Sequence, residues 1–252
     1  MGQTTKEPGK NEPELLGQIV VVIGGSAGIG LETARRARAE GAKLVLAGRN
    51  PDRLREAARE LGAQSTAAFD ATDPAPLERF FRDLPSPIDH VMVTAGRPIY
   101  GRLVDADLDE VRRSVDEHLL LPIRIGRLAA NKVRPAGTLL FMSGTGARRP
   151  GIGLGVASAL TNALPALATT LALEIAPVRV NVIAPGFVDT PLSATLLGDQ
   201  LDARRNQLRT TLPIRRVIGP ADVAALAVHI MINTALTGAT FDIDGGQQFV
   251  AS

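Results

Sequence analysis

Seven residues, Gly24-Gly25-Ser26-Ala27-Gly28-Ile29-Gly30, follow the apolar run Ile19-Val20-Val21-Val22-Ile23 and lead into the helix-forming stretch Leu31-Glu32-Thr33-Ala34-Arg35-Arg36. A glycine-rich turn between a strand and a helix lets the backbone bend sharply and approach a ligand closely. The N–H groups of the opening helical turn and the positive end of the helix dipole then face whatever lies there, which favours a pyrophosphate. This order of elements points to a dinucleotide.

The remaining chemistry-bearing residues narrow the field. The chain has 252 residues with 28 basic and 26 acidic side chains, and no basic run with interleaved aromatics, so nucleic acid is not an expected partner. Cysteine is absent, which removes thiol catalysis and thiolate metal sites. The three histidines, His90, His118 and His229, are far apart with no ligand spacing, and no metal site is expected. No apolar stretch reads as reaching the roughly 18 to 20 residues of a membrane span, and no membrane partner is expected. The polar, Pro/Gly-containing opening predicts a flexible tail over residues 1–14 of a cytoplasmic protein.

Positioning these residues requires a scaffold, and the chain alternates strand and helix signals throughout. Short apolar strands are predicted at 44–47, 66–69, 89–93, 138–142, 178–183 and 240–243, after the first at 19–23. Helices are predicted from Pro51 to Leu61, from Asp73-Pro74, and over Asp107 to about Lys132. Leu160, Leu164, Leu167, Leu171 and Ile175 form the core stripe of one long helix. The expected fold is α/β: a single Rossmann-type domain over 15–252, with a doubly wound, mainly parallel seven-stranded sheet and helices on both faces.

The glycine motif, Ala95-Gly96 after the fourth strand, Asn181 with Pro185-Gly186 after the sixth, and Asp244-Gly245-Gly246 near the end occur together in the order of one family. From Leu16 to Val250 the chain resembles the short-chain dehydrogenase/reductases. That resemblance implies a nicotinamide dinucleotide held by Gly24, Ser26, Ala27, Gly28, Ile29 and Gly30, with Asp70 and Ala71 at the adenine and Ala95 and Gly96 along the cleft. It also implies that Pro185, Gly186, the Val188 backbone and the Thr190 hydroxyl hold the nicotinamide carboxamide. The second strand ends Ala47-Gly48-Arg49-Asn50, with no acid to receive a ribose 2′-hydroxyl. Arg49 suits a 2′-phosphate, with Asn50 beside it, which puts NADP(H) ahead of NAD(H). The resemblance further implies a homo-oligomer, dimer or tetramer, and a substrate lid over about 187–213 carrying Leu192, Leu196, Leu197 and Leu201.

The resemblance breaks at the chemistry. Aligned on the family pattern, Gly144 stands at its serine, Ala157 at its tyrosine, Thr161 at its lysine and His118 at its asparagine. The only tyrosine is Tyr100 and no lysine follows Lys132, so no Tyr-x-x-x-Lys pair exists in the second half. Loss of a positioned acid is worth about 10²- to 10⁴-fold in rate. His118 is the candidate replacement, because imidazole exchanges a proton near neutral pH. Arg148 and Arg149 are candidates to attract an anionic substrate, and Pro165 predicts a kink at Thr161. The expected function is an NADP(H)-binding oxidoreductase acting on a small carbonyl or alcohol by a non-standard proton route. The alternative is a catalytically silent NADP(H)-binding protein, a sensor or structural partner.

Overall fold

A computed structural model of the chain describes residues 13–146, 148 and 150–250. Residues 1–12 of the expected tail, the last two residues of the expected domain and Arg149 lie outside the described residues. Pro13 and Glu14 are exposed and lead directly into Leu15, which is fully buried and donates its N–H to the Glu40 carbonyl.

Seven strands, β1 Ile19–Ile23, β2 Lys43–Gly48, β3 Ser65–Ala68, β4 Ile88–Val93, β5 Val133–Met142, β6 Arg179–Pro185 and β7 Thr240–Ile243, form one sheet in the order β3-β2-β1-β4-β5-β6-β7. Every pair is parallel. The helices are α1 Gly28–Ala39, α2 Pro51–Leu61, α3 Pro74–Asp83, α4 Leu108–Val115, α5 Leu121–Ala129, α6 Gly155–Glu174, α7 Pro191–Leu197, α8 Leu201–Thr211 and α9 Pro220–Ile232. Alternation along the strands divides the core. Val21 and Ile23 of β1 face the side covered by α3, α5 and α6, whereas Val20 and Val22 face α1, α2 and α9. Burial on both faces is why the strands read as unbroken apolar runs. The chain reverses direction of growth between β1 and β4, and the crevice at their carboxyl ends is the natural ligand position.

Three elements differ from expectation. β5 begins at Val133, five residues early, through an irregularity at Ala136, whose φ is +62°. Pro135 and Gly137 hide that segment's strand character. The helix expected over 107–132 is interrupted by a π-helical turn, Asp116–Leu120. Pro122 has no N–H for the His118 carbonyl four residues back, and the ladder slips, with Leu121 N–H bonding the Asp116 carbonyl five residues back. Finally, α6 is long and apolar enough to cross a membrane by length and composition, contrary to the expectation that no such stretch exists. Apart from Glu174 at its end, its polar residues are hydroxyls and one amide, Ser158, Thr161, Asn162, Thr169 and Thr170, which lower its hydropathy little. In the fold Leu160, Leu164, Ala168 and Leu171 of this helix are buried, with Leu164, Ala168 and Leu171 in the core cluster on the α3, α5 and α6 face.

Candidate functional site

The turn from β1 to α1 is built around what its glycines lack. A Cβ on Gly30 would overlap the Gly24 carbonyl and the Thr94 hydroxyl, and one on Gly24 would overlap the same hydroxyl. Thr94 N–H bonds the Ile23 carbonyl at 2.8 Å, and its hydroxyl lies 3.2 Å from the Gly24 carbonyl. This clamps the glycine turn to the end of β4. Thr94 is a residue sequence reasoning missed, although its place before Ala95-Gly96 was the available signal. Gly28 has φ +53°, and α1 starts from Ala27 with no side-chain cap and no acid in its first turn. The opening N–H groups of a twelve-residue helix therefore lack a side-chain acceptor, the condition that suits an anion. Ser26 sits over the end of β2, its Oγ 3.3 Å from where a Cβ on Gly48 would be.

At the ends of β2 and β3 the expected residues divide. Arg49 is exposed beside that turn. Asn50 is the N-cap of α2: its Oδ1 accepts the N–H groups of Asp52 and Arg53, which leaves its amide NH₂ as the group it can offer a ligand. Ala71 places its side chain in the core, leaving only backbone to offer. Asp70 Oδ1 accepts from Thr72 N–H and Oγ1, and Oδ2 lies 3.4 Å from Arg113. Burial alone would raise its carboxyl, but the Thr72 hydrogen bonds and the charges of Arg49 and Arg113 hold it below the usual carboxylate range.

Across the cleft, the Pro185-Gly186 loop is fixed from beneath. Thr145 N–H bonds the Pro185 carbonyl at 2.8 Å, and Gln247 Oε1 accepts Phe187 N–H at 2.8 Å. Gly186 leaves room for Gln247 and Asp244, whose atoms would stand 2.6 and 2.8 Å from a Cβ there. Asp244 is buried and accepts the N–H groups of Gly246 and Gln248. Gln247 is a second missed residue; the Asp-Gly-Gly motif preceding it marks its turn. Val188 is buried and bridges to Ile218. Thr190 and Ser193 form a capping box on α7, so the Thr190 hydroxyl accepts Ser193 N–H at 3.2 Å and keeps its own proton to donate. The Thr190 methyl is 3.6 Å from a Cβ placed on Gly28, which brings this loop against the glycine turn. The structure thus gathers the glycine turn, Arg49, Asp70, Ala95-Gly96 and Pro185 to Thr190 along the carboxyl edge of the sheet.

The positions expected to carry chemistry are poor in acids. Gly144 lies beside the Pro185 carbonyl, Ala157 is buried and Thr161 is half-buried on α6. Pro165 does not break that helix; it deprives the Thr161 carbonyl of its N–H donor, and Ser143 Oγ donates to that carbonyl at 3.2 Å. His118, on the π-helical turn, is brought to the cleft. Its Nε2 lies 3.2 Å from where a Cβ on Gly96 would stand, and Gly96 has φ +118°. Its Nδ1 is 2.9 Å from the Ser114 carbonyl, which only accepts, so Nδ1 donates there and Nε2 is the ring nitrogen left facing Gly96. Glu117, the buried neighbour that sequence reasoning missed, accepts Arg97 N–H at 3.0 Å.

One expectation fails here. Arg148 is not available to an anionic substrate, because both its terminal nitrogens donate to Asp242, at 2.5 and 2.6 Å. That hydrogen-bonded pair holds the Asp242 carboxyl below its usual range. Tyr100 is 58% exposed, on a loop tied by Gly101 N–H to the Gly153 carbonyl. Leu192 and Leu196 of the expected lid also remain exposed.

Comparison with known proteins agrees with this geometry. The family model described as enoyl-(acyl carrier protein) reductase matches residues 24–248. The NADP-dependent (R)-specific alcohol dehydrogenase of Lentilactobacillus kefiri is 29% identical, over 92% of this chain and 97% of its own. The MalC reductase/Diels-Alderase of Malbranchea aurantiaca superposes with a TM-score of 0.88 at 26% identity, covering 94% of this chain and 99% of the other. A small-chain dehydrogenase solved in complex with NADPH has a TM-score of 0.80 at 26% identity, with 92% and 99% covered.

Proposed function

This chain belongs to the short-chain dehydrogenase/reductase family, and from that premise we propose that it is an NADP(H)-binding oxidoreductase acting on a small molecule without the tyrosine and lysine its resemblance predicts. The observation that carries the reading is the uncapped N-terminus of α1 behind Gly24 to Gly30, with exposed Arg49 at the end of the neighbouring strand. The α1 N–H groups receive the pyrophosphate, Arg49 the 2′-phosphate, and the loop from Pro185 to Thr190 the nicotinamide carboxamide. The NADP-dependent relative and the NADPH-bound neighbour support this choice.

Bound there, NADPH supplies a hydride and NADP⁺ accepts one. The protein positions the two reactants and so lowers the barrier by proximity, while the proton that the developing alkoxide takes up comes from water or through His118. His118 holds or accepts a hydrogen at Nε2 beside Gly96, while Ser143 braces α6 through the Thr161 carbonyl.

The test is NADPH binding by fluorescence titration, followed by a carbonyl and alcohol panel on wild type and His118→Ala. Binding with substrate-dependent turnover that falls in the variant supports an oxidoreductase with His118 in its proton route. Binding with no turnover of any substrate points to a silent nucleotide-binding protein.

A further inference from the structure

Glutamate is almost never buried without a partner, yet Glu117, on the π-helical turn, is only 8% exposed. Its partner is backbone: Oε2 accepts Arg97 N–H at 3.0 Å, while Oε1 lies 3.7 Å from Arg113 Nε. The residue before that N–H is Gly96, at φ +118° and with no side chain of its own to restrain the peptide that follows. Two consecutive residues of the π-helical turn close on this glycine, the Glu117 Cβ standing 3.5 Å and His118 Nε2 3.2 Å from where a Cβ on Gly96 would be. Residues 94–97 are therefore anchored at both ends. Thr94 ties one end to the Ile23 and Gly24 carbonyls of the glycine turn, and Glu117 ties the other through Arg97.

Resting on the oxidoreductase reading, we infer that Glu117 is a positioning residue for the nicotinamide half of the dinucleotide, acting through the Gly96-Arg97 backbone. The order of the sheet gives the half. Asp70 and Arg49 follow β3 and β2, the glycine turn follows β1, and the loop from Pro185 to Thr190 follows β6. Gly96 follows β4, between the glycine turn and that loop, and so stands on the nicotinamide side of the pyrophosphate position. A carboxylate that accepts a backbone N–H makes a charge-assisted bond, stronger than one between neutral groups. Without it the segment keeps its Thr94 anchor and loses the one beyond Gly96, so the wall shared with His118 moves where the glycine permits. The adenine half, held on the other side of the glycine turn, is left as it was.

The experiment titrates wild type, Glu117→Ala, Glu117→Asp and Glu117→Gln with NADPH and with adenosine 2′,5′-bisphosphate, the adenine half alone. Glu117→Ala should lose about tenfold or more in NADPH affinity, the scale of a hydrogen bond to a charged group, and less than about threefold for the half-nucleotide. Glu117→Asp keeps the charge but withdraws the oxygens by one methylene, and should show the same pattern; it carries the test if the alanine variant does not fold. Glu117→Gln loses the charge but keeps an oxygen at the same reach, and should restore NADPH affinity to within about threefold of wild type. Amide hydrogen exchange by NMR is the second readout: Arg97 N–H should exchange at least about tenfold faster in the alanine and aspartate variants, with the amides of Val91 and Val93 in β4 unchanged and the glutamine variant protected. A merely structural glutamate would weaken both ligands alike or speed exchange along all of β4, and either result overturns the inference. So does NADPH affinity that survives Glu117→Ala and Glu117→Asp, or that Glu117→Gln fails to restore. In each of these outcomes wild type still binds NADPH and the oxidoreductase reading stands; wild-type protein that does not bind NADPH overturns the reading itself.

Discussion

Replacing Ser143 by alanine should destabilise the protein only while residue 165 is proline. Proline at 165 provides no N–H for the Thr161 carbonyl, and Ser143 Oγ donates to it from the end of β5 at 3.2 Å. A hydrogen bond of this kind contributes about 0.5–1.5 kcal/mol, and leaving a partly buried carbonyl unpaired puts the loss near the upper end. Ser143→Ala should therefore cost about 1 kcal/mol, roughly 2–4 °C in Tm for a chain of this length. In Pro165→Ala the new N–H reaches the same carbonyl, so the serine becomes redundant and its removal costs near zero. Pro165→Ala alone should stabilise, by at most about 3 kcal/mol, the usual penalty for proline within a helix. Urea denaturation of wild type, both single variants and the double variant gives the coupling energy directly, expected at about 1 kcal/mol. Equal costs of Ser143→Ala in the two backgrounds, within about 0.3 kcal/mol, would refute the link between Pro165 in α6 and Ser143 at the site.

Two further outcomes follow from groups away from that helix. His90 is fully buried, and burial first, then the charges of Arg134 and Arg179, push its imidazole down to about 3. Its unfolded value is near 6.5, so the unfolded chain binds the extra proton between these limits and stability falls as pH drops through that window. The loss from this group is about 2 kcal/mol at about pH 5; His90→Gln, which keeps a partner for Gln18, should flatten that part of the stability profile, and an unchanged profile sinks the assignment. Gly30→Val should abolish NADPH binding and lower Tm together, because its side chain would displace the Gly24 carbonyl and Thr94 from the turn; binding retained at wild-type affinity would show that the turn is not the cradle.

The parts of this molecule that repeat were the parts that could be read. Unbroken apolar runs such as Val20 to Ile23 declare a sheet buried on both faces, and seven residues between a strand and a helix, six of them small, declare a turn that something approaches closely. Commitments of individual side chains were not visible, because they depend on partners distant in sequence. Asn50 follows Arg49 and looks like a second ligand group, yet the two N–H groups of the α2 opening claim its oxygen. Arg148 looked free until β7 brought Asp242 beside it, 94 residues away. The π-helical turn that carries His118 was legible in principle from Pro122, four residues on, and so was the Thr161 carbonyl from Pro165. What no pattern announced was that Ser143 would meet the second of these, or that Gln247 would hold the Pro185-Gly186 loop.

Calorimetric titration of wild type and Arg49→Ala with NADPH and NADH tests the central assignment most directly. A charge-assisted contact is worth about 1.5–3 kcal/mol, so the variant should lose roughly 10- to 150-fold in NADPH affinity while its NADH affinity stays nearly the same. Equal losses for both nucleotides, or a wild-type protein that takes up neither, would contradict the account.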